Sequence, residues 1–253
     1  DLIVTGVQTC ALPISWWMHR NPTPLAGAAE KIRAGDQIPG YGEDCCLAQG
    51  PMGLAVAPWL AVMRDAHGPV VNLYERAEAV VPLDGGNSVR LVLDGDFPRT
   101  ADAGIAVIPA ESARFRLRMR IPGWSRRTEV RLNGKACDAR AGGYLSIERF
   151  WEPGDRIEIH FDMPVRAIPA FDGGGRVALM RGPVVLAQDS RLGPVDSPVS
   201  VRNCGEAVPQ PSPIPGIDEV FRLADGTVLC DYAFAGNEFR AENQLCVWMR
   251  KRE

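Results

Sequence analysis

The sequence predicts a mainly β chain, antiparallel β-sandwich domains following a short α-helical stretch, and three observations carry that expectation. Beyond His67 apolar residues recur at every second position, the period of a strand with one buried face. Clusters of Gly, Pro, Asn and Asp separate these runs at short intervals, as turns do between sandwich strands. With 26 Gly and 21 Pro in 253 residues, the chain is broken too often for many long helices.

The elements follow in order. "VTGVQTCALPI", Val4 to Ile14, resembles the conceptual translation of a common sequencing adapter, and residues 1–14 are set aside on that ground; the alternative is a strand followed by a turn. On the adapter reading, the chain lacks its natural N-terminus and Cys10 is foreign to it. Residues 15–66 begin as an irregular, Pro-rich stretch and end in the apolar positions Met52, Leu54, Val56, Trp59, Leu60 and Met63, a density that predicts a helix buried on most sides. Pro58 should kink that helix or lie near its end.

Residues 67–170 form the first predicted sandwich. "VVNLYE", "AEAVVPL" and "SVRLVLDGDFP" read as strands. In "RFRLRMRI" Phe115, Leu117, Met119 and Ile121 face one way and Arg114, Arg116, Arg118 and Arg120 the other, a sheet with one wet face. The arginine row could serve a polyanion, but the acidic strand "DRIEIHF" favours a solvated face with cross-strand ion pairs. "TEVRLNGKAC" carries an Asn-Gly hairpin turn at Asn133 and Gly134, and two more strands flank the turn at Pro153, Gly154 and Asp155. Residues 171–253 form a second sandwich portion: "GRVALMRGPVVLAQDS" is two strands hinged at Gly182 and Pro183. A Pro-rich surface loop follows, then a closing strand pattern around Leu245, Val247 and Met249.

Composition excludes several functions. A net charge of −3 supplies no field for nucleic acid or anionic lipid, and no apolar run reaches membrane-spanning length, so neither a nucleic acid nor a membrane is an expected partner. No phosphate-cradling glycine loop, HExxH motif or serine elbow occurs. Setting Cys10 aside leaves Cys45, Cys46, Cys137, Cys204, Cys230 and Cys246, with no CxxC pair and no disulfide framework. Most are expected to be buried thiols. Cys45 and Cys46 differ, because Gly40, Gly42, Gly50 and Pro51 put them in a tight loop before a helix. Adjacent thiols there could form a vicinal disulfide, be two buried residues, or hold one soft metal.

The ordered set "EDCCLAQGPMGLAVAPWLAVM", "GPVVNLYERAEAVVPLDGGNSVRLVLDGDFP", "FRLRMRIPGWSRRTEVRLNGK", "GYLSIERFWEPGDRIEIHFDMPVRAI", "GRVALMRGPVVLAQD" and "LCDYAFAGN" resembles the C-terminal part of glycoside hydrolase family 127, the β-L-arabinofuranosidases and their relatives. The resemblance implies an (α/α)6 barrel followed by β-sandwich domains, which makes residues 15–66 a remnant of the catalytic barrel. It implies a retaining glycoside hydrolase acting on a carbohydrate substrate. By the family's double-cysteine motif, Cys45 is nucleophile and zinc ligand and Cys46 a zinc ligand. A third cysteine, a glutamate ligand and an acid/base glutamate are expected upstream, which leaves the zinc site incomplete in these residues and the fragment inactive by itself. Glu30, Glu43 and Asp44 match none of those roles, and "LAQGP" departs from the Pro-Pro-Asn run that often follows the family's cysteine pair.

Trp17 and His19, with Trp16, precede "PLAG" where relatives carry aromatics beside the sugar pocket, which makes them candidate substrate contacts. Trp124 and Trp151 are expected to pack, His67 and His160 to lie on the surface. Two other functions stay open: a non-catalytic carbohydrate-binding or structural sandwich, and another glycosidase specificity on the same scaffold. Free thiols and a zinc–thiolate centre lean toward a reducing, cytoplasmic compartment.

Overall fold

A computed structural model describes residues 55–170, 175–235 and 244–252, which fall into two compact units, one running from Ala55 to Met163 and the other from Pro164 onward. The first unit opens with a helix over 55–61 and continues as strands β1 (Val62–Asp65), β2 (Gly68–Val71), β3 (Ala77–Pro82), β4 (Ser88–Gly95), β5 (Asp102–Pro109), β6 (Ala113–Ile121), β7 (Glu129–Leu132), β8 (Lys135–Cys137), β9 (Gly143–Trp151) and β10 (Asp155–His160). They build a four-stranded sheet, β1-β2-β6-β9, and a six-stranded sheet, β3-β4-β5-β10-β7-β8. The inner faces of both sheets share one core, in which Val71, Leu117, Met119 and Ile121 meet Leu91, Leu93, Ile105 and Ile157. This is the predicted β-sandwich.

Several details depart from the sequence expectation. The helix is not buried on most sides: Trp59 is 81% exposed and Val56 46%, while Met63 already belongs to β1, so the strand pattern starts before His67. Apolar density alone does not tell a buried face from an uncovered one. β2 pairs with β6 in parallel, an exception to the antiparallel plan. The central strand β5 was not anticipated, because "DAGIAVIP" is an unbroken apolar run without alternation.

The arginine face of β6 is ion-paired, but not by "DRIEIHF", which lies in the other sheet as β10. Its partners come from its own sheet: Glu148 on β9 meets Arg114 at 3.4 Å and Arg116 at 2.9 Å, and Asp65 on β1 meets Arg118 at 2.8 Å. Hydrogen bonding by Arg118 holds the Asp65 carboxyl below the usual range.

Turn chemistry sets the connections. Asn133 (φ 50°) and Gly134 (φ 77°) form the predicted hairpin turn between β7 and β8, where both central residues need positive φ. Asn133 also ties this hairpin to β10, its Nδ2 donating to Asp155 Oδ1 at 2.6 Å and its Oδ1 accepting from the Arg156 N–H at 2.8 Å. The turn at Pro153 and Gly154 carries the chain from the four-stranded sheet to the six-stranded one. Gly68 (φ 142°) lies against the Arg116 carbonyl where any Cβ would collide, which lets β2 approach β6.

The second unit contains β11 (Val165–Pro169), β12 (Arg176–Arg181), β13 (Val184–Asp189), β14 (Val199–Ser200), β15 (Pro209–Pro211), β16 (Glu219–Arg222), β17 (Val228–Asp231), β18 (Leu245–Cys246) and β19 (Met249–Arg252). The predicted pair around Gly182 is the antiparallel β12–β13. The Pro-rich segment is more than a surface loop: Val199 and Cys204 are buried in the core, and β15 forms an exposed strand on β16. Prolines cannot donate to a ladder, which suits them to such an edge.

Candidate functional site

Cys45, Cys46, Trp17 and His19 lie outside the described residues, as do Trp16, Glu30, Glu43 and Asp44. The structure places none of them, and among the described residues no group of three His, Cys, Asp or Glu side chains is arranged to hold a metal ion.

Three of the four described thiols are structural. Cys204, Cys230 and Cys246 are buried, and Cys137 on β8 is half-buried. Burial pushes Cys230 and Cys246 up to about 12 and raises Cys204 as well, so none carries the thiolate that nucleophilic or metal chemistry requires. In the folded chain Cys204, Cys230 and Cys246 should therefore resist iodoacetamide at pH 8 and react only after denaturation. Peptide mapping checks this, and rapid native labelling of Cys230 would contradict the burial argument.

Both sandwich tryptophans pack. Trp151 is fully buried, stacks on Phe115 with ring centroids 5.6 Å apart, and donates its Nε1–H to the Phe115 carbonyl at 3.0 Å. Trp124 joins an aromatic group with Phe97 and Phe161. His67 and His160 are exposed, as expected.

The outer face of the six-stranded sheet bears an open polar groove that sequence reading did not single out. Gly104 on β5 forms its floor, and above it Arg156 on β10 grips Asp94 on β4 with two 2.8 Å hydrogen bonds. A Cβ at position 104 would occupy the space of that pair. Farther along, His160 Nδ1 lies 2.7 Å from Asp102 Oδ1. These polar groups answer one another across strands, as on a solvated sheet. Hydrogen bonding from Arg156 keeps the Asp94 carboxyl below its ordinary value.

The Asp94–Arg156 pair yields a pH prediction. A carboxyl whose folded pKa is depressed stabilises the fold above its unfolded pKa, near 3.9, and loses that contribution as pH falls through the folded value. Asp94→Asn should lower stability at pH 7 by about 1 kcal/mol or less, given the exposure of both side chains. The difference should shrink as pH falls from 7 toward about 2, through and below the unfolded carboxyl range. Denaturant midpoints at the two pH values test it; an equal penalty at both would refute the ionic origin.

A second polar cluster sits where the helix meets the sheets. Asn72, just past β2, is 5% exposed and reaches the helix end, β6 and β9 through its hydrogen bonds. Its signal in the sequence was a lone Asn between the apolar residues of "VVNLYE".

Residues 69–163 match the family described as Beta-L-arabinofuranosidase, GH127 middle domain. The first sandwich is thus similar to the GH127 middle domain. Three solved structures are similar to this chain in fold, each at 23% identity. A GH127 beta-L-arabinofuranosidase from Geobacillus Stearothermophilus T6 matches over 81% of this chain and 37% of its own, with a TM-score of 0.64. A protein described as a glycoside hydrolase matches over 84% and 40%, at 0.67. A GH127 beta-arabinofuranosidase matches over 73% and 35%, at 0.57. This chain thus spans roughly two fifths of the length of these structures or less. No curated protein matches it. No helix among the described residues is long and apolar enough to cross a membrane.

Proposed function

We propose that this chain is part of a retaining glycoside hydrolase of the β-L-arabinofuranosidase type, in which the GH127-type sandwich is a scaffold and Cys45 supplies the nucleophile. The observation that carries the reading is the match of residues 69–163 to the GH127 middle domain, a domain found in enzymes of that activity. The sandwich supports it by what it contains: buried, protonated thiols and polar groups paired with one another, which suit a scaffold better than a reaction centre. Against the rival reading, a stand-alone carbohydrate-binding sandwich, Trp151 is fully buried and offers no stacking face to a sugar.

Adjacent thiols are a donor set suited to zinc, and Cys45 and Cys46 would be two of its ligands. Zinc bound there would hold both thiols as thiolates at neutral pH, well below the ordinary thiol value of about 8.5. The Cys45 Sγ lone pair attacks the anomeric carbon as the bond to the leaving oxygen breaks, and a glutamic acid from the upstream part of the enzyme protonates that oxygen. Water then attacks the anomeric carbon, the same carboxylate takes its proton, and the C–S electrons return to Cys45. Two displacements at one carbon retain its configuration.

A cysteine-reactive arabinofuranose analogue tests the reading. After incubation with the intact enzyme, mass spectrometry should find the label on Cys45. Label on a carboxylate alone would overturn the thiolate mechanism.

A further inference from the structure

Asn133 is followed by Gly134, the one Asn-Gly pair in the sequence, and the fold puts it at the exposed tip of the β7–β8 hairpin. Its side chain is held there. Nδ2 donates to Asp155 Oδ1 at 2.6 Å and Oδ1 accepts the Arg156 N–H at 2.8 Å, while the Asn133 backbone N–H donates to the Arg156 carbonyl at 2.9 Å. Asp155 opens β10 and is only 7% exposed; its Oδ2 accepts the Glu152 N–H at 2.9 Å. Three bonds therefore dock the hairpin tip on β10, and two of them use the side-chain amide.

A side-chain amide before glycine is open to attack by the next backbone nitrogen, because glycine has no Cβ to obstruct the approach. At Gly134 no atom lies within 4 Å of where a Cβ would stand. As the Gly134 nitrogen gives its proton to solvent base, its lone pair attacks Asn133 Cγ; the Cγ–Nδ2 bond breaks and Nδ2 leaves as ammonia. Water then opens the cyclic imide at either carbonyl carbon, which leaves an aspartate or an isoaspartate. One water is consumed, one ammonia is released, and nothing is oxidised. Because Nδ2 is the leaving group, its bond to Asp155 must break before the ring can form.

We propose that Asn133 is a deamidation site guarded by β10, protected while the hairpin is docked and converted when it opens, and that the carboxylate so formed keeps the hairpin from docking again. A carboxylate has no N–H for Asp155, so two negative oxygens would meet where the 2.6 Å bond stood. β7 and β8 lie at the end of the six-stranded sheet, so this hairpin can open while β3, β4, β5 and β10 stay paired. The inference concerns the first sandwich alone and is independent of the hydrolase reading.

Timed peptide mapping of the whole chain at mildly alkaline pH, by mass spectrometry that separates aspartate from isoaspartate, tests the guard. Conversion at Asn133 should be about tenfold or more slower in the folded chain than in the denatured one at equal pH, since only the open fraction reacts. Asp155→Ala should bring the folded rate toward the denatured rate. Because Asp155 also ties its own turn, the wild-type chain supplies a second measure. With urea below the unfolding transition, conversion should rise in step with hydrogen exchange of the amides of 129–137. Equal rates in the folded and denatured chain, or a folded rate that ignores urea, would overturn the guard.

Asn133→Asp and Asn133→Gly test the consequence, since both lose the amide, both tolerate positive φ, and only the first adds charge. At neutral pH the amides of 129–137 should exchange a few-fold faster than wild type in Asn133→Gly and about tenfold faster or more in Asn133→Asp. Amides of 88–95 on β4 should keep their protection and serve as the internal standard. Equal exchange of 129–137 in the two variants would overturn the repulsion, and with it the block to redocking.

Discussion

Turnover of an activated arabinofuranoside by the intact enzyme is expected to fall about 10⁴-fold or more in Cys45→Ser, the scale on which enzymes lose rate when a covalent nucleophile is removed. A serine hydroxyl stays protonated at neutral pH, and its oxygen is a far weaker nucleophile than a metal-held thiolate. Cys204, Cys230 and Cys246 offer no substitute, because burial keeps them protonated. Cys46→Ser should be impaired through weakened metal binding, so added zinc should recover part of its activity. Steady-state rates of the two variants with and without zinc check both statements. Full activity in Cys45→Ser would remove the thiolate mechanism.

Trp151→Ala should destabilise the first unit by about 3–5 kcal/mol, the cost of emptying a large aromatic site in a packed core. Trp151 is fully buried, stacks on Phe115 and is faced by the Arg149 guanidinium 5.4 Å from its ring. Its truncation also removes the donor that occupies the Phe115 carbonyl. Since whole domains are stable by roughly 5–15 kcal/mol, the loss should be visible as a large fall in the denaturant midpoint, with the slope unchanged. Trp151→Phe, which keeps an aromatic ring but not the indole N–H, should cost less. A Trp151→Ala protein as stable as wild type would mean that the tryptophan is not the core residue described here.

How far the sequence speaks differs from element to element. β6 was legible because its alternation has a single cause, one face in the core and one in water: Leu117 and Met119 are fully buried and the arginines opposite them are not. Asn133 and Gly134 were legible because few residues accept positive φ at two successive positions. β5 was missed because its apolar run lacks the alternation that marked its neighbours. The helix burial was misjudged because apolar density says what a residue would prefer to touch, and nothing about whether a partner is present: Trp59 stands exposed.

The candidate site divides in the same way. Cys45 and Cys46 drew notice by adjacency and by resemblance to a family, both properties of a linear text, and they lie outside the described residues. Asn72, Asp94 and Gly104 drew none, since their partners lie on other elements: Leu60 and Ala61 for Asn72, Arg156 for Asp94, and the Asp94–Arg156 pair for Gly104.

By itself, then, the sequence determined the strand-rich class, the hairpin turn at Asn133 and the inward set on β6, all of which depend on local backbone preference and on a period of two. Only the tertiary structure decided which sheet each strand joins, that β2 and β6 run parallel, that Glu148 and Asp65 rather than the residues of β10 answer the arginines, and that Asn72 caps a helix it follows by eleven residues. Those outcomes depend on which surfaces come together when two sheets close over one core. A hydrogen-bonding group gives no sign along the chain of the distant partner that will satisfy it.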